Sequence, residues 1–161
     1  MENKKIVKSG KLLLSILVSL SAGFIGSIFT TSSVNNWYPT LNKPFFNPPN
    51  WIFSPVWTIL YLLIGISLFL VWDKKRNNHI FKKAIILFVI QLILNSLWSI
   101  LFFGLKSPIL GIVGIVPLWI TIVLTMYYFK KISKTSFYLL VPYILWVSFA
   151  AILNIAIYVL N

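Results

Sequence analysis

Amide and aromatic side chains recur at helical spacing in three apolar segments of the sequence. Gln91, Asn95 and Trp98 follow i, i+4, i+7 spacing, so they share one face of a helix. Amides facing lipid are costly, and such side chains point into a bundle, where they either hydrogen-bond between helices or line a ligand cavity. Two more stripes have a similar make-up: Trp57, Tyr61 and Gly65, and Tyr143, Trp146, Ala150 and Asn154.

Three stripes that combine rings with amides or small residues favour a dry, aromatic, sparsely polar pocket. Such a pocket suits a large flat hydrophobic ligand, held by stacking and a few hydrogen bonds. Plain core packing is the alternative for aromatic stripes at this spacing, and it stays open. The predicted ligand-binding residues are Trp37, Trp51, Trp57, Tyr61, Gln91, Asn95, Trp98, Tyr143, Trp146, Ala150 and Asn154.

The composition argues against several other kinds of site. The chain has no cysteine, one histidine and only two acidic residues. Disulfides, thiolate metal sites, paired carboxylates and two-metal sites are therefore poorly supported. The histidine, His79, lies in a basic segment, where we expect it to be solvated. We expect neither a metal nor a cofactor.

The elements that would position the pocket are five membrane-spanning helices. Of the 161 residues, 59% are hydrophobic and 10% charged, whereas soluble domains carry about 25% charged residues. Five apolar stretches, each about the length that crosses a bilayer, lie at residues 12–29, 50–72, 84–103, 109–129 and 137–160. The prediction is an all-α integral membrane protein, a five-transmembrane-helix bundle in which residues 1–161 form a single membrane domain.

Basic residues flank the apolar stretches and predict the orientation. The net charge of +12 would suggest nucleic acid in a soluble protein. Here it indicates membrane lipid as the partner, and we expect no nucleic-acid binding. Only Lys43 and Lys106 lie on one side of a five-span topology. The other side carries Lys4, Lys5, Lys8, Lys11, Lys74, Lys75, Arg76, Lys82, Lys83, Lys130, Lys131 and Lys134. The positive-inside rule then predicts a multi-pass protein with a cytoplasmic N-terminus and an external C-terminus. We expect the membrane to be a bacterial cell membrane.

Two further segments allow two interpretations each. Residues 36–57 hold five prolines and three tryptophans. This composition predicts a stiff folded loop, which is either an interfacial aromatic belt or a lid over the pocket. Ser19, Gly23 and Ser27 recur every four residues on the first span. Small residues at that spacing permit close helix packing, either inside the bundle or at a homodimer face.

Five short motifs carry a resemblance to a known family. They begin with Trp37-Tyr38-x-x-Leu41-x-Lys43-Pro44, Pro48-Pro49-x-Trp51-x-Phe53 and Pro55-Val56-Trp57-Thr58-x-Leu60-Tyr61. The others are Gln91-Leu92-x-Leu94-Asn95-x-x-Trp98-x-x-x-Phe102-Phe103-Gly104 and Pro142-Tyr143-x-x-Trp146-Val147-x-Phe149-Ala150-x-x-Leu153-Asn154. With these motifs the chain resembles the TspO/MBR family of tryptophan-rich sensory proteins. The resemblance covers nearly the whole chain from the first helix onward.

The resemblance implies a five-helix bundle, commonly a homodimer, with a porphyrin-binding cavity under the loop between helices one and two. Some bacterial relatives are credited with light-dependent oxidative breakdown of protoporphyrin IX, and the tryptophans implicated there match Trp57 and Trp146, our candidate catalytic residues. The expected function is a membrane receptor or sensor for porphyrins. The alternatives are a transporter of porphyrin or other hydrophobic solutes, and a non-catalytic regulator of a membrane partner. The family's sterol motif is incomplete, because no basic residue follows Tyr158.

Overall fold

The computed structural model describes residues 2–74 and 78–161, with side chains from Ile6 onward. The structure does not describe the side chains of four of the basic residues counted above. Lys75 and Arg76 lie outside the described residues, as do the side chains of Lys4 and Lys5. The regular elements of the described part are all helices.

The helices in chain order are α1 Glu2–Asn36, α2 Phe53–Asp73, α3 His79–Ser99, α4 Pro108–Ile132, α5 Lys134–Leu139 and α6 Val141–Leu160. Short 3₁₀ turns lie at Tyr38–Thr40 and Asn50–Ile52, and a π-helical turn at Ile100–Gly104 extends α3. Five segments are long and apolar enough to cross a membrane, with α5 and α6 together making the fifth. The predicted all-α, five-helix membrane bundle is confirmed.

Several helix boundaries differ from the predicted ones. The first helix begins well before residue 12 and continues past residue 29 to Asn36. Hydropathy marks only the apolar part of a helix, whereas the helix itself continues until a residue such as Pro39 disfavours it. The third helix begins at His79 because the Asn78 side chain accepts a hydrogen bond from the backbone N–H of Phe81 at 3.0 Å.

The fifth span is not one continuous helix as predicted. It divides at Leu140, between α5 and α6. Pro142 has no N–H to donate to the carbonyl of Tyr138, four residues earlier, so a helix running through this point would lose a hydrogen bond. Proline is well accepted in the first turn of a new helix, where it lies here.

The five spans pack side by side in a ring. The helix α1 contacts α2 and α3, α4 contacts α3 and α6, and α5 contacts α2 and α4. Buried rings and aliphatic chains fill the centre, where Phe88 stacks on Phe129 with centroids 5.8 Å apart. Hereafter, the loop end of the bundle is the end that carries residues 37–52, and the opposite end is the one that carries the α2–α3 connection.

A folded segment closes the loop end. Tyr38 is 1% exposed, and its hydroxyl donates to Asn47 Oδ1 at 2.5 Å. Burial raises the pKa of Tyr38 to about 12, so the hydroxyl stays protonated, and able to donate, further into the alkaline range than that of a free tyrosine. The Lys43 ammonium donates to the carbonyls of Tyr38, Pro39 and Leu41 at 3.0, 3.1 and 2.8 Å. One lysine side chain therefore hydrogen-bonds to three backbone carbonyls of the same turn and stabilises it.

The same segment is also joined to α6. The backbone N–H of Asn42 donates to Asn161 Oδ1 at 3.0 Å, and Asn161 Nδ2 returns a bond to the Asn42 carbonyl at 3.0 Å. The Asn42 amide donates to the carbonyl of Leu160 at 3.2 Å. These contacts hold the loop against the end of the last helix.

Candidate ligand-binding cavity

A cavity of about 580 Å³ lies between α1, α2 and α3, in the half of the bundle nearer the loop end. Its volume is within the range of about 300–1,000 Å³ that is usual for small-molecule sites. The lining residues are Leu20, Gly23, Phe24, Gly26, Ser27, Thr30, Thr31, Val34, Asn35, Asn50, Phe53, Ser54, Trp57, Thr58, Tyr61, Trp98, Ser99 and Phe103.

One wall of this cavity is aromatic. Trp57 lies one helical turn before Tyr61 on α2, and the two rings stack with centroids 5.5 Å apart and planes 29° apart. The ring of Trp98, on α3, lies 6.2 Å from that of Trp57. It also stacks on Phe102 at 6.1 Å. Three predicted site residues, Trp57, Tyr61 and Trp98, are therefore brought together by two helices.

Three other predicted residues lie behind this wall and hold it in place. The Tyr61 hydroxyl donates to Asn95 Oδ1 at 2.5 Å, and Asn95 Nδ2 donates to the Tyr143 hydroxyl at 3.0 Å. Tyr143 in turn donates to Gln91 Oε1 at 2.8 Å. All four side chains are buried. Of the two interpretations of Gln91 and Asn95, the structure shows hydrogen bonding between helices.

The predicted residues Ala150 and Asn154 line a separate chamber of about 20 Å³. The rings of Phe53, Trp98 and Phe103 border both spaces and form the partition between them. A volume of 20 Å³ accommodates about one water molecule and no larger ligand. Both residues are therefore cut off from the cavity in this arrangement of the rings.

The side-chain amide of Asn154 is buried without a hydrogen-bond partner among the described residues. It is 2% exposed, and within the described residues neither its nitrogen nor its oxygen has a hydrogen-bond partner. It faces Gly111 of α4, where an added Cβ would lie 2.6 Å from Asn154 Nδ2. The buried indole nitrogen of Trp98 is likewise unpaired there. Unpaired buried groups cost free energy. Asn154 is therefore a candidate partner for a ligand that displaces the partition rings, and the indole N–H of Trp98, itself one of those rings, is a candidate donor to a ligand in the cavity.

The remaining predicted tryptophans do not line the cavity. Trp37 is half-buried and packs edge-on against Phe102 with centroids 5.6 Å apart. Trp51 is 72% exposed. Trp146 packs edge-on against the partition ring Phe53 at 6.1 Å. The structure therefore separates the two candidate catalytic tryptophans, since Trp57 lines the cavity and Trp146 lies outside it.

Half of the cavity wall comes from α1, which the sequence reasoning did not assign to the site. Gly23 lies directly against the Tyr61 ring, with no room for a Cβ. A Cβ added to Gly26 would lie 3.0 Å from Ser99 Oγ. The buried Ser19 donates to the carbonyl of Tyr61 at 2.8 Å. Ser19 and Gly23 pack inside the bundle, as one of the two interpretations held, whereas Ser27 is exposed, and the homodimer face stays a prediction. Gly23 and Gly26 also form a thin wall of the cavity. The only sequence signal for Ser19, Gly23 and Ser27 was their four-residue spacing, which predicts that α1 approaches a neighbouring helix closely but does not predict a cavity beside that contact.

The cavity carries no charged lining residue in the described part of the chain. The hydroxyls of Ser27, Thr30 and Thr58 donate to carbonyls of their own helices at 2.8, 3.0 and 2.9 Å. Their oxygens can still accept hydrogen bonds. The space can hold an apolar planar molecule with few polar atoms, and it offers nothing to neutralise a buried charge. Residues 2–74 and 78–161 contain no group of three or more histidine or acidic side chains that could hold a metal.

Comparison with known proteins gives a consistent result over most of the chain. The TspO/MBR family model matches residues 15–160. The tryptophan-rich protein TspO of Archaeoglobus fulgidus is 52% identical over 151 residues, which is 94% of this chain and 97% of the relative. The protein of the same name from Chlorobaculum tepidum is 48% identical over 99% of both chains. The tryptophan-rich sensory protein of Cereibacter sphaeroides is 32% identical over 74% of this chain and 73% of its own length. The chain thus belongs to the TspO/MBR family and is a multi-pass membrane protein.

Proposed function

We propose that this protein is a membrane receptor or sensor that binds porphyrins in the 580 Å³ cavity between α1, α2 and α3. The observation that carries the proposal is the aromatic wall of Trp57, Tyr61 and Trp98 beside an uncharged space of that size. Flat aromatic ligands gain from stacking on such rings. The name of the Cereibacter sphaeroides relative, a sensory protein, supports the receptor part of the proposal.

The electrostatics of the cavity favour one kind of porphyrin. With no charged residue in its lining, a carboxylate that entered it would lose its hydration without gaining a counter-charge. Asn35 and Asn50 are exposed and line the part of the cavity near the loop end. A porphyrin with an apolar edge and few carboxylates fits this arrangement, with the apolar edge toward Tyr61 and the carboxylates toward the two asparagines.

Titration of the purified protein in lipid nanodiscs tests the proposal. Protoporphyrin IX, with two carboxylates on one edge, should bind and quench tryptophan fluorescence. Uroporphyrin, with eight carboxylates around the ring, should not bind at the same concentrations. No saturable binding of protoporphyrin IX, in a protein shown to be folded, would refute the proposal. Saturable uptake into sealed liposomes that contain the protein, above the uptake by protein-free liposomes, would favour a transporter instead.

We further infer that the bound porphyrin is open to light-dependent oxidation, with dioxygen as the oxidant. An excited porphyrin beside an indole can accept one electron from it and pass that electron to dioxygen, which becomes superoxide. The indole radical cation then recovers an electron from the porphyrin ring, and the porphyrin radical cation combines with the superoxide, so that dioxygen is added to the porphyrin and the tryptophan is restored. Trp57 lines the cavity and is the better placed donor. Acid–base groups are not needed for this chemistry, in keeping with a sequence that has one histidine and two acidic residues.

A further inference from the structure

The first helix changes partner along its length. Toward the opposite end it packs closely on α2, where an added Cβ on Gly65 would lie 2.7 Å from Ile16 Cα. The Lys8 ammonium also lies 3.1 Å from the carboxylate of Asp73 there. Toward the loop end, α1 is bonded to α3 instead, through Ser33, whose hydroxyl donates to the carbonyl of Phe103 at 2.5 Å. Because α1 leans from α2 toward α3, a cleft remains between α1 and α2 in the loop-end half.

Residues on both sides of this cleft belong to the cavity and to the outer surface at once. On α1, Phe24 is 69% exposed and Ser27 is also exposed. On α2, Ser54 and Thr58 are exposed. All four line the 580 Å³ cavity. A side chain that meets both spaces marks an opening, so the cavity communicates with the outside between α1 and α2.

The depth of the opening determines what lies outside it. Ser27 precedes the end of α1 at Asn36 by nine residues, which is about 13 Å at 1.5 Å per residue. Thr58 lies within the second membrane-spanning segment, Asn50–Asp73. The hydrocarbon core of a bilayer is about 30 Å thick. At the depth of Ser27 and Thr58 the opening therefore faces acyl chains. It continues toward the loop end as far as Asn35 and Asn50, which are also exposed and line the cavity.

The chemistry of the cleft suits lipid. Hydroxyls that face hydrocarbon without a partner are costly, but Ser27 and Thr58 both donate within their own helices, to Phe24 and Ser54. The deeper part of the cleft, at Ser27 and Thr58, can therefore face lipid without water as a hydrogen-bond partner. Phe24 adds an apolar side chain at the rim.

We propose that the α1–α2 cleft is the entrance of the cavity, and that the ligand is a planar molecule already dissolved in the bilayer, which enters sideways from the lipid. This inference rests on the proposed function for the nature of the ligand. It adds the route, the residues that form it, and the requirement that the ligand partition into lipid before it binds.

Blocking substitutions with neighbouring controls test the route. Ser27→Phe and Thr58→Phe narrow the cleft, whereas Ile28→Phe and Ile59→Phe add a ring at exposed positions that do not line the cavity. With protoporphyrin IX and the protein in nanodiscs, the two cleft variants should associate at least tenfold more slowly than wild type. Dissociation should slow in parallel, because a ligand leaves by the entrance it used. The two controls should stay within twofold of wild type.

Association rates unchanged in both cleft variants would overturn the proposal. So would a loss of affinity with an unchanged association rate, because these residues would then contact the bound ligand without lining its route. Failure of wild type to bind protoporphyrin IX would instead refute the proposed function.

A measurement without ligand tests the opening itself. The chain has no cysteine, so Ser27→Cys can carry a single spin label, with Asn35→Cys as the control nearer the loop end. In nanodiscs, the label at 27 should relax mainly through dioxygen, which concentrates in lipid, and the label at 35 mainly through a water-soluble nickel chelate. A label at 27 that responds mainly to the nickel chelate would show a water-filled cleft and overturn the proposal.

Discussion

At the scale of single residues, Asn95 is the junction of the bonded chain behind the aromatic wall. It accepts from Tyr61 and donates to Tyr143, and so joins α3 to both α2 and α6. Interhelical hydrogen bonds in membranes average about 0.6 kcal/mol and reach about 1.7. Asn95→Leu removes two of them, so we expect a loss of about 1–3 kcal/mol in the free energy of unfolding, measured by denaturant titration in detergent micelles. The control is Ile93→Leu at an exposed position, which should change the stability little. An Asn95→Leu protein as stable as this control would contradict the account.

The two candidate photo-oxidation residues should behave differently. Trp57 lines the cavity, whereas Trp146 reaches it only through contact with Phe53. Under light and dioxygen, Trp57→Phe should slow product formation from protoporphyrin IX severalfold, and Trp146→Phe should slow it less, with binding retained in both because phenylalanine keeps an apolar ring. Porphyrin without protein controls for spontaneous bleaching. Equal rates in Trp57→Phe and wild type would leave a receptor without this activity.

Residue types indicated the aromatic wall but not the exact set of cavity residues. The α2 and α3 rings were predicted because tryptophan and tyrosine recur at helical spacing with an amide. Ala150 and Asn154 share that pattern, yet the rings of Phe53, Trp98 and Phe103 separate them from the cavity. Rotamers of large rings decide which helix face meets the empty space, and spacing along a helix does not specify them.

At the scale of helices, the packing of α1 on α2 depends on one glycine. An added Cβ on Gly65 would meet the backbone of Ile16, which cannot rotate away as a side chain can. Gly65→Ala should therefore destabilise the protein by about 1–3 kcal/mol, the usual cost of overpacking. Gly10, also in α1, has open space around it, and Gly10→Ala should be neutral or stabilising because alanine favours helix. Thermal unfolding of both variants in detergent makes the comparison, and equal midpoints would contradict it.

The five spans were predictable because runs of apolar residues about 20 long have few other uses. The ends of the helices were less predictable, since α1 continues through Thr30 and Thr31 to Asn36 in a sequence of falling hydropathy. The lean of α1 from α2 to α3 was not predictable. It depends on the contacts that Gly65 and Ser33 make with residues of other helices. The sequence does not indicate which residue of another helix each of them contacts.

At the scale of the whole molecule, the orientation in the membrane remains a prediction from charge. Reporter fusions at the two ends should report opposite sides, with the N-terminus cytoplasmic, because lysine and arginine collect on one side of the five spans. The loop end, with Lys43 and Lys106, would then face outward. Both reporters on the same side would be incompatible with this topology.

The central claim, that the cavity between α1, α2 and α3 binds porphyrin, is tested most directly by equilibrium titration of two tryptophan variants. Trp57→Ala removes a ring from the cavity wall, and Trp51→Ala removes one that is 72% exposed and outside the cavity. If the contact resembles stacking of a base on an aromatic ring, the loss should be about 1–3 kcal/mol. Trp57→Ala should therefore bind protoporphyrin IX about ten- to a hundredfold more weakly than wild type, and Trp51→Ala should bind it as wild type does. Unchanged affinity in a folded Trp57→Ala protein, or an equal loss in both variants, would contradict the claim.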